Sequence, residues 1–289
     1  MEIISEVKKK KNYACDIEIY PYLRDHLVEG KVVLPAVEAL IVMAGIVKKN
    51  YPQMNIKCLR NAVFSRFLAI EPDARFQPVL VDLEDSDNGG VTASLLTTLK
   101  SKKGNISREI AHAKVSFYQS GSEEFCNPPF SAVNKLKGDC ISIPSATVYR
   151  DLIPFGKSYQ NIIGDLSVSP EGALAYISGG DNEADEDLLG SPFPLDAAMH
   201  TACVWGQRFA GIVPFPVGFK KRIIYQKTEK KKEYLGRIMP VGVTNESLIF
   251  DAWIYKDDVL YESVSGIIMK DVTNGRMKPP EWIRIVNSE

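Results

Sequence analysis

The stretch DHLVEGKVVLP, residues 25–35, sets His26 ahead of Gly30 and Pro35 and just before a long apolar run. Imidazole titrates near neutral pH and can take or give a proton there. The glycine permits positive φ or a close backbone approach, and the proline fixes the entrance of a helix. Together they would let the amides of a helix N-terminus face the same cavity as the imidazole, where they could polarise a carbonyl oxygen as an enolate develops. The same histidine also has a plain reading, as a loop residue bonded to backbone. A second pair lies far along the chain in SPFPLDAAMHTACVW. Asp196 and His200 are spaced i, i+4, so a helix presents both on one face. An acid this close to a helix start can be there simply because the helix dipole favours it. The pair could also hold a metal, although no third ligand lies nearby. The third histidine, His112 in REIAHAKVSFY, alternates with Ala111 and Ala113 as strand residues do. That pattern places it with Arg108 and Lys114 on an outward face, away from any site.

Two sets of elements must position these residues. YACDIEIY at 13–20 alternates, with Tyr13, Cys15, Ile17 and Ile19 on one face and Asp16 and Glu18 on the other, which predicts a half-buried strand. Pro35 opens PAVEALIVMAGIVKKN, a helix with so little polar face that it must be enclosed. Strand-like segments follow at 56–70, 75–83, 91–99 and 106–118, divided by turns such as SDNGG at 86–90 and KKGN at 102–105. Residues 121–140, rich in Pro, Gly, Ser and charge, read as a linker between a first half, 1–120, and a second, 141–289. In the second half Pro194 opens another helix, with an apolar stripe through Leu195, Ala198, Met199, Ala202, Cys203 and Trp205. Strands near 217–227, 234–241, 247–255 and 259–270 follow it, with a hairpin turn at 256–258. A buried helix wrapped by an antiparallel sheet, twice over, is the α+β arrangement called a double hot dog.

With these elements in place, the chain resembles the dehydratase domains of modular polyketide synthases over essentially its whole length. His26, Gly30 and Pro35 match that family's HxxxGxxxxP motif, and Asp196 and His200 match its DxxxQ/H motif, again after proline-leucine. IPFGKSYQNI at 153–162 resembles its YGPxFQ segment: Gly156 and Gln160 are kept, while Phe155 stands for tyrosine, Lys157 for proline and Tyr159 for phenylalanine. Ala36 replaces a glycine that often follows the motif proline. The resemblance implies removal of water from a 3-hydroxyacyl thioester on an acyl carrier protein, leaving a trans-2-enoyl thioester. In that reading neutral His26 takes the C2 proton, and amides near Gly30 and the helix entered through Pro35 hold the carbonyl oxygen. Asp196, entering protonated, donates to the departing C3 hydroxyl, and neutral His200 orients it. Phe155, Gly156, Tyr159 and Gln160 would position substrate, and Lys157 would either meet the acyl chain or face solvent. The resemblance further implies a homodimer among other synthase domains. It calls for no metal, and for no cofactor beyond the phosphopantetheine that carries the substrate.

Composition is ordinary for a soluble globular protein: 45% of residues are apolar, 25% are charged, and the net charge is −1. That balance gives no electrostatic reason for a nucleic acid or an anionic membrane as partner. The five cysteines are scattered without a CxxC pair, which argues against a disulfide framework or a zinc site. The N-terminus lacks a signal-peptide core, and the longest apolar stretch, near 32–47, is broken by Glu38 and too short to span a bilayer. The expectation is a soluble, reduced, cytoplasmic protein. The lysine run Lys8–Lys11, EKKKE at 229–233 and the acidic loop 181–187 read as solvated surface, and Lys220, Lys221 and Arg222 as a surface for an acidic carrier protein. Three rival functions remain open. A hot-dog thioesterase leaves the His26 motif unexplained, an enoyl isomerase needs His26 but not Asp196, and a non-catalytic acyl-binding or scaffold module would suit the altered third motif.

Overall fold

The computed structural model describes residues 10–86, 88–100, 107–119, 127–181, 188–244 and 246–284. The KKGN turn, the start of the linker, most of the acidic loop and the first two lysines of the lysine run lie outside these residues. β1 (Lys10–Glu18) leads through a 3-10 turn, Pro21–Asp25, into a small hairpin of β2 (Leu27–Val28) and β3 (Lys31–Val32), and then α1 (Ala36–Asn50). β4 (Asn55–Phe64), β5 (Phe76–Asp85), β6 (Gly90–Lys100) and β7 (Ser107–Tyr118) complete the first half. After the short α2 (Phe130–Val133) come β8 (Ile141–Pro144), α3 (Ser145–Thr147), a wider helical turn at Val148–Leu152, and a 3-10 turn at Lys157–Tyr159. β9 (Ile162–Ser169), β10 (Gly172–Ser178), α4 (Phe193–Phe209), β11 (Phe215–Ile224), β12 (Glu233–Val243), β13 (Leu248–Lys256) and β14 (Val259–Lys270) follow.

Among the described residues, all strands except the β2–β3 hairpin form one twelve-stranded sheet, in the order β1-β5-β6-β7-β4-β11-β14-β13-β12-β10-β9-β8. The halves meet where β4 pairs antiparallel with β11, Leu59 opposite Arg222 and Ala62 opposite Phe219. One hydrophobic core runs through both halves, so α1 and α4 pack into a shared interior. The enclosure is uneven. Every residue of α4 from Phe193 to Gln207 is buried, whereas α1, predicted to be enclosed all round, leaves Ile41, Val42 and Ile46 half-buried. The predicted linker is not a loose tether where it is described. Val133 of α2 packs on Leu235, Trp253 and Tyr255, and the Tyr255 hydroxyl donates to the Pro128 carbonyl at 2.6 Å.

Two sequence expectations fail. His112 is not outward-facing: it is only 7% exposed. In the β6–β7 ladder Leu95 faces Ala113 and Leu96 faces Ala111, so His112 is the extra residue of a bulge. A bulge breaks period-2 alternation, and His112 turns inward while Ala111 turns out. Its Nε2 lies 2.8 Å from Thr97 Oγ1 and its Nδ1 3.3 Å from the Arg66 carbonyl. Arg222 belongs to no basic docking surface either. It is buried, with Nε and Nη2 each 2.9 Å from Glu262 Oε2 on the neighbouring strand.

Candidate active site

His26 follows directly on the 3-10 turn, with extended backbone at φ −91° and ψ 93°. Three and four residues on, Glu29 and Gly30 take positive φ, +49° and +75°, the pairing of a tight two-residue hairpin turn. Gly30 is needed for that φ alone, since the space beside its α-carbon is open. The turn brings Val33 back alongside His26: the Val33 amide donates to the His26 carbonyl at 3.0 Å, and His26 Nδ1 lies 3.0 Å from the Val33 carbonyl. A carbonyl only accepts, so Nδ1 carries the ring proton and Nε2 keeps its lone pair. Burial pushes the imidazole below its ordinary pKa, which leaves a neutral ring at pH 7 with one basic nitrogen. Pro35 caps α1 from just outside it, and Ala36, the first helical residue, lies on the cavity wall. The first amides of a helix have no intrahelical acceptor, so this end can serve an oxygen in the cavity.

Asp196 and His200 sit one turn apart on α4, both buried, with His200 Nε2 2.9 Å from Asp196 Oδ2. The contact is at ion-pair distance but off the line of a well-formed hydrogen bond, since neither atom has a hydrogen-bonded partner. Burial lifts the Asp196 carboxyl; the charges and hydrogen bonding of His200, then the charge of His26, outweigh it and draw the group below its usual value. The two charges act only while the histidines are cationic. With both rings neutral, burial remains and favours the protonated acid.

A cavity of about 530 Å³ with largely apolar walls brings these groups together. His26, Gly30, Phe155, Asp196 and His200 all line it. The Phe155 ring bridges the halves, centred 4.5 Å from His26 and 5.1 Å from His200. Four residues predicted for the site, Pro35, Gly156, Tyr159 and Gln160, lie behind or beside the wall. Tyr159 is fully buried with its ring centre 5.0 Å from that of His26. Gln160 is exposed and donates to the Phe155 carbonyl at 2.9 Å, so it fixes the ring that meets the cavity. Lys157 is exposed and outside the cavity wall, on the solvent side of the two alternatives.

Gly156 exposes a clamp that sequence reasoning missed. Its amide donates to the Asp25 carbonyl at 2.8 Å, and the Asp25 carboxylate accepts from the Ser158 amide at 2.8 Å and hydroxyl at 2.7 Å. Asp25, immediately before His26, therefore ties the His26 segment of the first half to the Phe155 segment of the second. A carboxylate next to the motif histidine was the visible signal. Tyr149 and His112 were also missed. The Tyr149 hydroxyl lies 3.4 Å from His200 Nδ1, and His112 lines the far side of the cavity. Among the described residues no cluster of three His, Cys, Asp or Glu side chains could hold a metal ion, and no helix is long and apolar enough to cross a membrane.

No protein-family model and no curated protein sequence matches the chain. Solved structures do. The dehydratase domain from the CurJ module of the curacin polyketide synthase superposes with a TM-score of 0.73 at 17% identity, over 92% of this chain and 93% of that one. Its fold is that of polyketide synthase dehydratase domains. The same dehydratase fold is found in an inactive CurJ variant with histidine replaced by phenylalanine, bound to a small compound (TM-score 0.71, 17% identity, 92% of this chain and 93% of that one). It recurs in an inactive CurK dehydratase with aspartate replaced by asparagine (TM-score 0.68, 17% identity, 92% and 95%). The double hot dog expected from the elements is thus the observed architecture.

Proposed function

We propose that the chain is a dehydratase that removes water from a 3-hydroxyacyl thioester carried on an acyl carrier protein. The observation that carries this reading is a neutral imidazole with a free Nε2 and a buried carboxyl, held by different halves of the fold in one apolar cavity. Nε2 of His26 takes the C2 proton, and the electron pair forms the double bond as the C3–O bond breaks. Asp196 protonates the departing hydroxyl through Oδ1, while His200, its Nε2 2.9 Å from Oδ2, orients the acid. The products are a trans-2-enoyl thioester and water. The proton gained by His26 then returns to Asp196 through solvent before the next turnover. Amides at the start of α1 hold the thioester oxygen as charge develops on it. Each proton-transfer role is worth about 10² to 10⁴-fold.

The neighbouring dehydratases support these assignments, because in two of them the inactive variant replaces a histidine or an aspartate. Carrier protein, adjoining synthase domains, a homodimeric state, a cytoplasmic setting and independence from any metal or added cofactor belong to the same proposal. The test is incubation of the chain with a short trans-2-enoyl pantetheine thioester, followed by absorbance and mass. Gain of water to the 3-hydroxyacyl thioester is the expected result. Release of a free acid would instead mark a thioesterase, movement of the double bond an isomerase, and no change a binding module; each overturns the proposal.

A further inference from the structure

We infer that Tyr149 is a positioning residue for the acid: through His200 it holds Asp196 in its proton-donating arrangement. This deepens the dehydratase reading and rests on it. Tyr149 lies in the wide turn Val148–Leu152, is 5% exposed, and aims its hydroxyl at the helix that carries the pair. The Ile162 amide donates to that oxygen at 2.9 Å, and the Asn161 amide also faces it. Amides only donate, so the phenol oxygen is spent as an acceptor and its one proton is left to give. His200 Nδ1 is 3.4 Å away with the rings edge-on at 81°, where a lone pair can receive that proton. Nδ1 then accepts, and the proton of a neutral His200 must sit on Nε2, the atom 2.9 Å from Asp196 Oδ2. Tyr149 therefore fixes the tautomer that turns an N–H, not a lone pair, toward Asp196. The other titratable groups around the pair are His26 from the β2–β3 side, Tyr159 from the 157–159 turn and Cys203 one turn along α4. Among the described residues, none of these makes a hydrogen bond to Nδ1.

Tyr149→Phe keeps the ring and removes the proton. Without it His200 is free to carry its proton on Nδ1, which turns a lone pair instead of an N–H toward Asp196 Oδ2. The expected result is a kcat about tenfold lower near neutral pH with KM within about twofold, a loss of acid positioning and not of substrate binding. The second arm is the same change in a His200→Gln background, where no imidazole remains for the phenol to hold. There Tyr149→Phe should cost nothing further. Equal loss in both backgrounds would make Tyr149 merely structural and overturn the inference. Nitrogen NMR of labelled histidine separates this outcome from failure of the dehydratase reading. If His200 is an Nε2–H tautomer in the parent protein and shifts in Tyr149→Phe, the coupling stands whether or not the chain turns over enoyl thioesters. An unchanged His200 spectrum refutes it.

Discussion

Gly156→Ala should damage both the fold and the proposed chemistry through one contact. A methyl group there would lie 2.4 Å from Asp25 Cγ and Oδ1 and 2.6 Å from its Cβ. Ordinary carbon contacts are about 3.5–4.0 Å, so something must move by roughly 1 Å. Asp25 cannot swing aside cheaply, because its carboxylate holds the Ser158 amide and hydroxyl. Overpacking of this kind costs about 1–3 kcal/mol. At about 2–4 °C per kcal/mol for large domains, Tm should fall by roughly 2–12 °C. The shift lands between His26, next to Asp25, and Phe155, next to Gly156, whose rings are centred 4.5 Å apart. A misplacement of about 1 Å in a catalytic pair costs on the order of 10²-fold. Enoyl-thioester hydration and thermal melts on the same preparations measure both effects. Asp25→Gly removes the atoms that the methyl strikes, so Gly156→Ala should cost much less in that background. Parental rate and Tm in Gly156→Ala, or an equal loss in both backgrounds, would refute the clamp.

Three other outcomes follow from buried groups. Arg222→Met alone should destabilise the chain by about 3–5 kcal/mol in urea, because it strands the buried Glu262, whose carboxyl burial already pushes up. Pairing it with Glu262→Leu should restore most of that loss; a harmless single change would show that the ion pair is not the determinant. Burial holds both His26 and His112 below their ordinary value of 6.5. The unfolded chain therefore takes up protons first as pH drops through 6.5, so the stability these groups contribute is full above that pH and is lost on the acid side. Tm should fall with pH there, and less steeply in His112→Gln; identical slopes would contradict this. Burial also pushes the Cys203 thiol up to about 12, so iodoacetamide near neutral pH should modify exposed Cys140 and spare Cys203. Labelling of Cys203 in the native protein would contradict that burial.

The parts of the fold with strong periodicity were readable. β1, α1, α4 and the long strands of each half lie within a few residues of where alternation, helical stripes and the two prolines place them, except that β4 ends at Phe64 and not near 70. β8, β9 and β10 were not. Gly164 interrupts β9 at positive φ, and the β9–β10 register shifts between Leu174 and Tyr176, so neither strand keeps a clean alternation. The same physics hid His112, where one extra residue in β7 reverses the face. Arg222 was misjudged because its partner lies forty residues away on another strand, and a buried arginine is indistinguishable from a surface one until that partner is known. In the site, residue types and spacing located His26, Asp196 and His200. Their supports, Val33, Asp25 and Tyr149, act through backbone carbonyls, cross-half hydrogen bonds and one phenol proton, which leave no periodic trace.

The most direct test of the account uses a 3-hydroxyacyl thioester loaded on a carrier protein, with loss of water followed by mass. The parent chain, His26→Ala and Asp196→Asn would be compared, each checked for an unchanged melt. The account predicts conversion by the parent and rates at least about 10²-fold lower in both variants. Conversion at the parental rate by either variant, or none by the parent, would contradict it.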